Sequence, residues 1–155
     1  MLPDQQEYVR QFFELLIWDQ PFKAEAAVAD VLTEEAPDLP TALRHAMGDL
    51  APSADWNQLG FLLEYLKEMA AGRGILSDLD DADEDNFDLD EPDDFFAKIQ
   101  ALLVDYGYDL WQWETGDDTF CAVIARTDDR SALEVLTRKL GLTAGHGALV
   151  CAAYL

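Results

Sequence analysis

At Gly107 the hydrophobic pattern of this chain changes period. Before it, apolar residues recur at helical three- and four-residue spacing. After it come two short segments, YDLWQWET (108–115) and FCAVIART (120–127), aromatic or β-branched and separated by the turn residues TGDDT. A helix-period pattern does not settle as a strand, nor the reverse, so the switch fixes a mixed fold with a hairpin in its second half. The expected class is α+β, mostly helical: N-terminal helices packed with a C-terminal helix–β-hairpin–helix–strand unit.

Five helices are expected before the switch. Gln5 to Trp18 carries Tyr8, Phe12, Leu15 and Leu16 on one stripe, widened by Phe13 and Ile17, and Pro21 is read as its stop. Lys23 to Ala36 follows, with Ala24, Val28, Val31 and Leu32 on one face. Pro40 to Leu50 begins with proline in its first turn. Ser53 is read as the N-cap of Asp55 to Ala71, whose apolar face is Leu59, Leu62, Leu63, Leu66 and Met69, with Gly72 and Gly74 at its end. A fifth helix opens at Pro92 and closes at Gly107. A sixth, capped by Asp128 or Asp129, covers Ala132 to Leu140 and stops at Gly141. The tail ALVCAAYL supplies a third strand beside the hairpin.

Between the fourth and fifth helices lies DLDDADEDNFDLDEPDD, residues 78–94. It holds eleven carboxylates, and no lysine or arginine occurs from Ile75 to Ala97. The chain has a net charge of −22; outside this run it still carries 21 acids against 10 bases. The run is expected to be an exposed connection, residues 77–94, within one domain spanning 1–155. Three roles compete for it: a solvated linker extended by its own repulsion, a partner-facing element complementing a basic surface, and a calcium site. The calcium motif fails on spacing. A loop starting at Asp81 matches Asp83 and Asp85, but Asn86 stands where glycine is needed and Pro92 where the bidentate glutamate belongs. Phe87 and Leu89 stand out among the acids, as anchors for a partner or as pegs against the same domain.

Half the residues are hydrophobic, which opposes disorder despite the charge. No apolar stretch approaches the ~20 residues that span a bilayer. The opening residues MLPDQQEYVR lack the basic and apolar regions of a secretory leader, and Cys121 and Cys151 sit in apolar company as reduced thiols would. A cytoplasmic location is therefore expected. The field repels nucleic acid and anionic membranes and attracts basic partners.

Catalytic signatures are sparse. The two histidines are His45, in a helix, and His146, in a glycine-flanked turn. Cys121 or Cys151 with His146 is the one nucleophilic pairing on offer, and neither cysteine has a setting that depresses its pKa. Two His and two Cys lack zinc-site spacing. No phosphate loop, HExxH or GxSxG is present. Catalytic residues, metal ligands and cofactors are thus all expected to be absent. Trp111 and Trp113 are read as core, and Trp18 and Trp56 as packing at helix ends. Any of the four that proves exposed becomes a candidate interface anchor.

The segment LLVDYGYDLWQWETGDDTFCAVIARTDDRSALEVLTRKLGL, residues 102–142, resembles the C-terminal part of an uncharacterised bacterial domain family. Gly107–Tyr108, Gly116–Asp117 and Leu140–Gly141–Leu142 carry that resemblance. It implies a helix, two strands and a helix, and assigns no functional residue. In general character the chain is also similar to bacterial toxin-immunity proteins, which are small, acidic and without a catalytic motif.

The leading expectation is a non-enzymatic protein that occludes a basic surface of a partner, with a toxin as first candidate. Its partner-binding residues are expected to be Asp80, Asp81, Asp83, Glu84, Asp85, Phe87, Asp88 and Asp90. The alternatives are a nucleic-acid-mimicking regulator of a DNA-binding protein and a small enzyme using a cleft carboxylate.

Overall fold

The computed structural model describes residues 1–48, 50–114, 119–143 and 148–154. The elements run α1 (Pro3–Leu16), α2 (Pro21–Thr33), α3 (Leu39–Gly48), β1 (Ser53–Asp55), α4 (Leu59–Gly72), α5 (Pro92–Val104), β2 (Tyr108–Glu114), β3 (Thr119–Arg126), α6 (Arg130–Lys139) and β4 (Leu149–Cys151). The fold is α+β and mostly helical, as the period switch predicts. The strands form one sheet in the order β1-β3-β2-β4, with every pairing antiparallel.

The predicted hairpin is the centre of that sheet. Trp111 lies opposite Val123, and Trp113 opposite Cys121. The turn expected between them lies outside the described residues. Because side chains alternate across a strand, the hairpin presents two faces. Trp111, Trp113, Cys121 and Val123 meet α1, α2, α3 and α6, among Phe12, Phe13, Leu43 and Leu136. Leu110, Ala122 and Ile124 meet α4 and α5, among Leu62, Leu66, Phe95 and Ile99. The sheet is therefore the middle of three layers. That explains why FCAVIA reads as continuously apolar, since neither face of β3 meets water.

Several boundaries differ from expectation for identifiable reasons. Pro21 does not end the first helix; it opens the second, where its missing N–H costs nothing and its fixed φ suits the first turn. Ser53 is not a helix cap. It begins β1, which pairs Ser53 with Cys121 and Asp55 with Thr119, so α4 starts only at Leu59. The tail strand is confined to Leu149–Cys151 and pairs with β2, followed by a 3-10 turn over Ala152–Tyr154. Gly107 and Gly141 do stop α5 and α6, with φ of 89° and 76° that side-chain-bearing residues rarely adopt.

Two polar ties join the layers. Arg73, just past α4 and only 6% exposed in its side chain, donates to Ile124 O at 3.0 Å, to Leu16 O at 3.1 Å and to Asp19 Oδ1 at 2.7 Å. Its guanidinium lies 4.3 Å from the centre of the Trp18 ring, which stacks on Tyr108. β1 pairs β3 only from Thr119 to Cys121, so Arg73 also satisfies a carbonyl that no β1 residue reaches.

The second tie is the buried carboxylate of Asp109. It accepts from Gln100 Nε2 at 2.7 Å, from Thr127 Oγ1 at 3.2 Å and from Arg130 Nε and Nη2 at 2.8 and 2.5 Å. Burial alone would raise its pKa. The hydrogen bonds from Arg130 and Gln100, with the charge of Arg130, outweigh that and hold it below the ordinary carboxylate value.

Arg130→Met keeps the volume and strands a buried charge. It should cost about 3 kcal/mol in urea denaturation at neutral pH, the low end for a broken buried pair because Arg130 is partly solvated. A loss below about 1 kcal/mol, the worth of one ordinary hydrogen bond, would contradict this account of the tie. A depressed folded-state pKa means that the Asp109 contribution is complete above about pH 4, the ordinary carboxylate value. It fades as pH falls toward the folded-state value. Asp109→Asn should therefore flatten the acid limb of the stability–pH curve.

Candidate interaction face

The acidic run is folded against α4 and α5, which corrects the reading of an extended, self-repelling linker. Ser77 caps a 3-10 turn over Asp78–Asp81, accepting from Leu79 N at 3.1 Å. A second turn, Glu84–Asn86, is closed by a capping box: Asp85 N donates to Asp83 Oδ1 and Asp83 N to Asn86 Oδ1, each at 3.1 Å. Asp88 Oδ1 accepts from Asp90 N at 3.0 Å. These short aspartates and the asparagine bond the local backbone readily, which lets so charged a stretch turn rather than extend.

Four apolar pegs and two cations hold the run down. Leu79 and Ala82 are buried, and Phe87 and Leu89 are half-buried against the core on the α4–α5 side of the sheet. Phe87 sits 5.2 Å from Phe95, ring centre to ring centre. Lys67 donates to Ala82 O at 2.7 Å, and Lys98 bonds Asn86 O while lying over the Phe87 ring. Tyr106 donates to Asp78 Oδ1 at 2.8 Å, a bond that raises the phenol's pKa.

All eleven carboxylates of the run are exposed. Asp80, Asp81, Asp83, Glu84, Asp85, Asp88 and Asp90 therefore stand on the surface where the sequence places them. Phe87 does not share that position. It is a peg against Phe95, the second of the two roles open to it from sequence.

The run borders a face of α4 that sequence reading missed. Gly60 lets the two approach: a Cβ there would lie 2.6 Å from Glu84 Oε2 and 3.7 Å from Leu89 Cδ1. Around the same helix, away from the buried Leu59, Leu62, Leu63 and Leu66, the exposed residues before its last turn are Phe61, Glu64, Tyr65 and Glu68. Phe61 is 57% exposed and Tyr65 44%, one helical turn apart. Trp56, in the turn just before the helix, is 52% exposed and not packed away as expected. A signal for this strip exists in the sequence: Phe61 and Tyr65 fall between acids, opposite the leucine stripe. Counting them merely as hydrophobic residues conceals it.

The cations do little to neutralise this face. Arg10 pairs with Glu7, Arg73 with Asp19, Arg126 with Asp129 and Arg130 with Asp109. Lys67 and Lys98 sit on the backbone carbonyls of the run itself, Lys67 also 3.9 Å from Glu64, so two positive charges stand against the eleven carboxylates of the run.

The residues considered for chemistry are placed differently. Cys121 and Cys151 are buried free thiols, each pushed up to about 11 chiefly by burial, and so remain protonated at neutral pH. His146 lies outside the described residues. His45 is exposed on α3 and bonds Glu34. Trp111 and Trp113 are core. Among the described residues no three His, Cys, Asp or Glu side chains gather where they could hold a metal ion. No helix among them is long and apolar enough to cross a membrane.

Phe87→Ala should cost about 1 kcal/mol, roughly half the value of burying a whole aromatic side chain. It should also speed amide exchange across 83–90 while leaving β2 and β3 protected. Unchanged exchange in the run would show that its order does not depend on this peg.

Neither the curated proteins nor the solved structures contain a match to the chain. A family model described as a domain of unknown function (DUF6630) matches residues 1–147. The match reaches well beyond 102–142, the stretch that carries the resemblance read from sequence. That stretch holds the hairpin, whose turns leave short motifs; amphipathic helices such as α1 to α4 leave none. The chain belongs to this family, a domain of unknown function (DUF6630).

Proposed function

We propose that this protein is a non-enzymatic inhibitor or binding protein that covers a basic surface of a partner protein, with a toxin that it neutralises as the first candidate. The observation that carries this reading is the exposure of Phe61 and Tyr65 on α4, and of Trp56 just before it, together with a folded run of exposed carboxylates packed on the same helix at Gly60. Interface hot spots are rich in Trp and Tyr at a desolvated centre, ringed by polar residues that contribute little individually. Charge gives rate and orientation; the aromatics give residence time.

The two groups would act in sequence. The carboxylates of 78–94 steer a cationic partner, raising association toward ~10⁸–10⁹ M⁻¹s⁻¹ at low salt. The aromatic strip then loses its water against the partner and slows dissociation. A catalytic or nucleic-acid-binding cleft on the partner is closed by this occupation, without chemistry on either side. Where that cleft holds phosphates, the carboxylates stand in for them. Because Ser77, the capping box and the four pegs already order the run, little further conformational entropy is lost on binding.

Immobilised protein should capture a basic partner from a lysate of the source organism, with affinity falling as salt rises toward about 0.15 M. Trp56→Ala or Phe61→Ala should weaken the isolated complex by about 2 kcal/mol or more, roughly 30-fold in Kd. Replacing Asp80, Asp81 and Asp85 by Asn should mainly slow association. Capture of no basic protein, or equal affinity in the aromatic variants, overturns the proposal.

A further inference from the structure

On the other side of the sheet, a groove of about 660 Å³ runs between α1 and α2. That size falls within the roughly 300–1,000 Å³ of small-molecule sites. Its floor is apolar: Ile17, Ala24, Val28 and Leu32. The first three are buried members of the core between these helices and the sheet, so the groove opens onto the outer wall of that core. At the end where α1 turns into α2, Arg126 from β3 closes it beside Trp18.

Arg126 is prepared to hold an anion. Its guanidinium lies 5.1 Å from the Trp18 ring centre, a cation–π contact that holds it at the end of the groove. Nε donates to Asp129 Oδ2 at 2.8 Å, and among the described residues neither Nη group has a hydrogen-bond partner. A planar fork with free donors at the end of an apolar channel matches one carboxylate attached to an apolar chain. Farther along, the groove is lined by Glu14 and Glu25 and by Arg10, which is already paired with Glu7, and the two glutamates disfavour a second anionic group there. The acidic run packs on the opposite face of the sheet, and beyond a screening length of about 8 Å at physiological salt its repulsion is weak.

We infer that the α1–α2 groove is a binding site for a small amphipathic monoanion, with its carboxylate on the Nη groups of Arg126 and its apolar chain along Ile17, Ala24, Val28 and Leu32. The site is separate from the α4 face, and its test does not depend on the function proposed for that face.

Calorimetric titration of the full chain with octanoate tests this, with 1-octanol as the uncharged counterpart. Octanoate should bind saturably at one site, and 1-octanol about ten-fold more weakly, the worth of one charge-assisted hydrogen-bonded head. Arg126→Gln should weaken octanoate by a similar factor. Ala29→Trp, which fills the groove from an exposed helical position, should abolish binding without disturbing the core. Absence of saturable octanoate binding, equal binding of 1-octanol, or wild-type affinity in both variants overturns the inference.

Discussion

The structure depends on a hairpin that has no solvent side. β2 and β3 carry large or apolar residues on both faces, from Trp111 and Trp113 on one to Leu110 and Ile124 on the other. A two-stranded ribbon of that composition is unstable in water unless each face is covered. Coverage requires helices on both sides, and the chain provides them in two groups. α1 to α3 and α6 take one face; α4 and α5 take the other. The segment between α4 and α5 must then stay on the outer surface of the second group, and that is where the acidic run lies.

Charge is sorted by the same arrangement. Arg73 and Arg130 are spent on internal ties, the first on Asp19 and two carbonyls, the second on the buried Asp109. Lys67 and Lys98 fasten the run by carbonyl bonds, leaving its own carboxylates to the solvent. The cations thus stabilise the folded body while offsetting only a small part of the outward field. A negative surface of this kind destabilises through self-repulsion, and the pegs Leu79, Ala82, Phe87 and Leu89 supply the opposing apolar burial. The outcome is an ordered acidic surface beside exposed aromatics, with the α1–α2 groove on the far side of the sheet.

Much of this build is legible in the sequence. The period switch at Gly107 predicts the hairpin, and the leucine stripe of α4 and the phenylalanines of α5 predict their buried faces. What periodicity cannot give is the element that covers each face, so the split of helices between the two sides of the sheet emerges only in three dimensions. β1 is hidden because three residues, Ser53 to Asp55, are too few to show alternation, and serine before a helix is more readily taken for a cap. The run reads as a linker because repulsion between acids is plain in the sequence, while the local bonds of Asp83, Asn86 and Asp88 are not. Its acids are exposed as expected. Phe61 and Tyr65 escape notice because hydrophobic spacing identifies a helix without saying which aromatics are surplus to the core.

Hydrogen exchange on the complex with a captured basic partner is the most direct measurement of the central claim. The account predicts new protection at residues 56–68 and 78–94, with α1, α2 and α6 unchanged. Protection confined to α1, α2 or α6, with the acidic run exchanging as in the free protein, would contradict it.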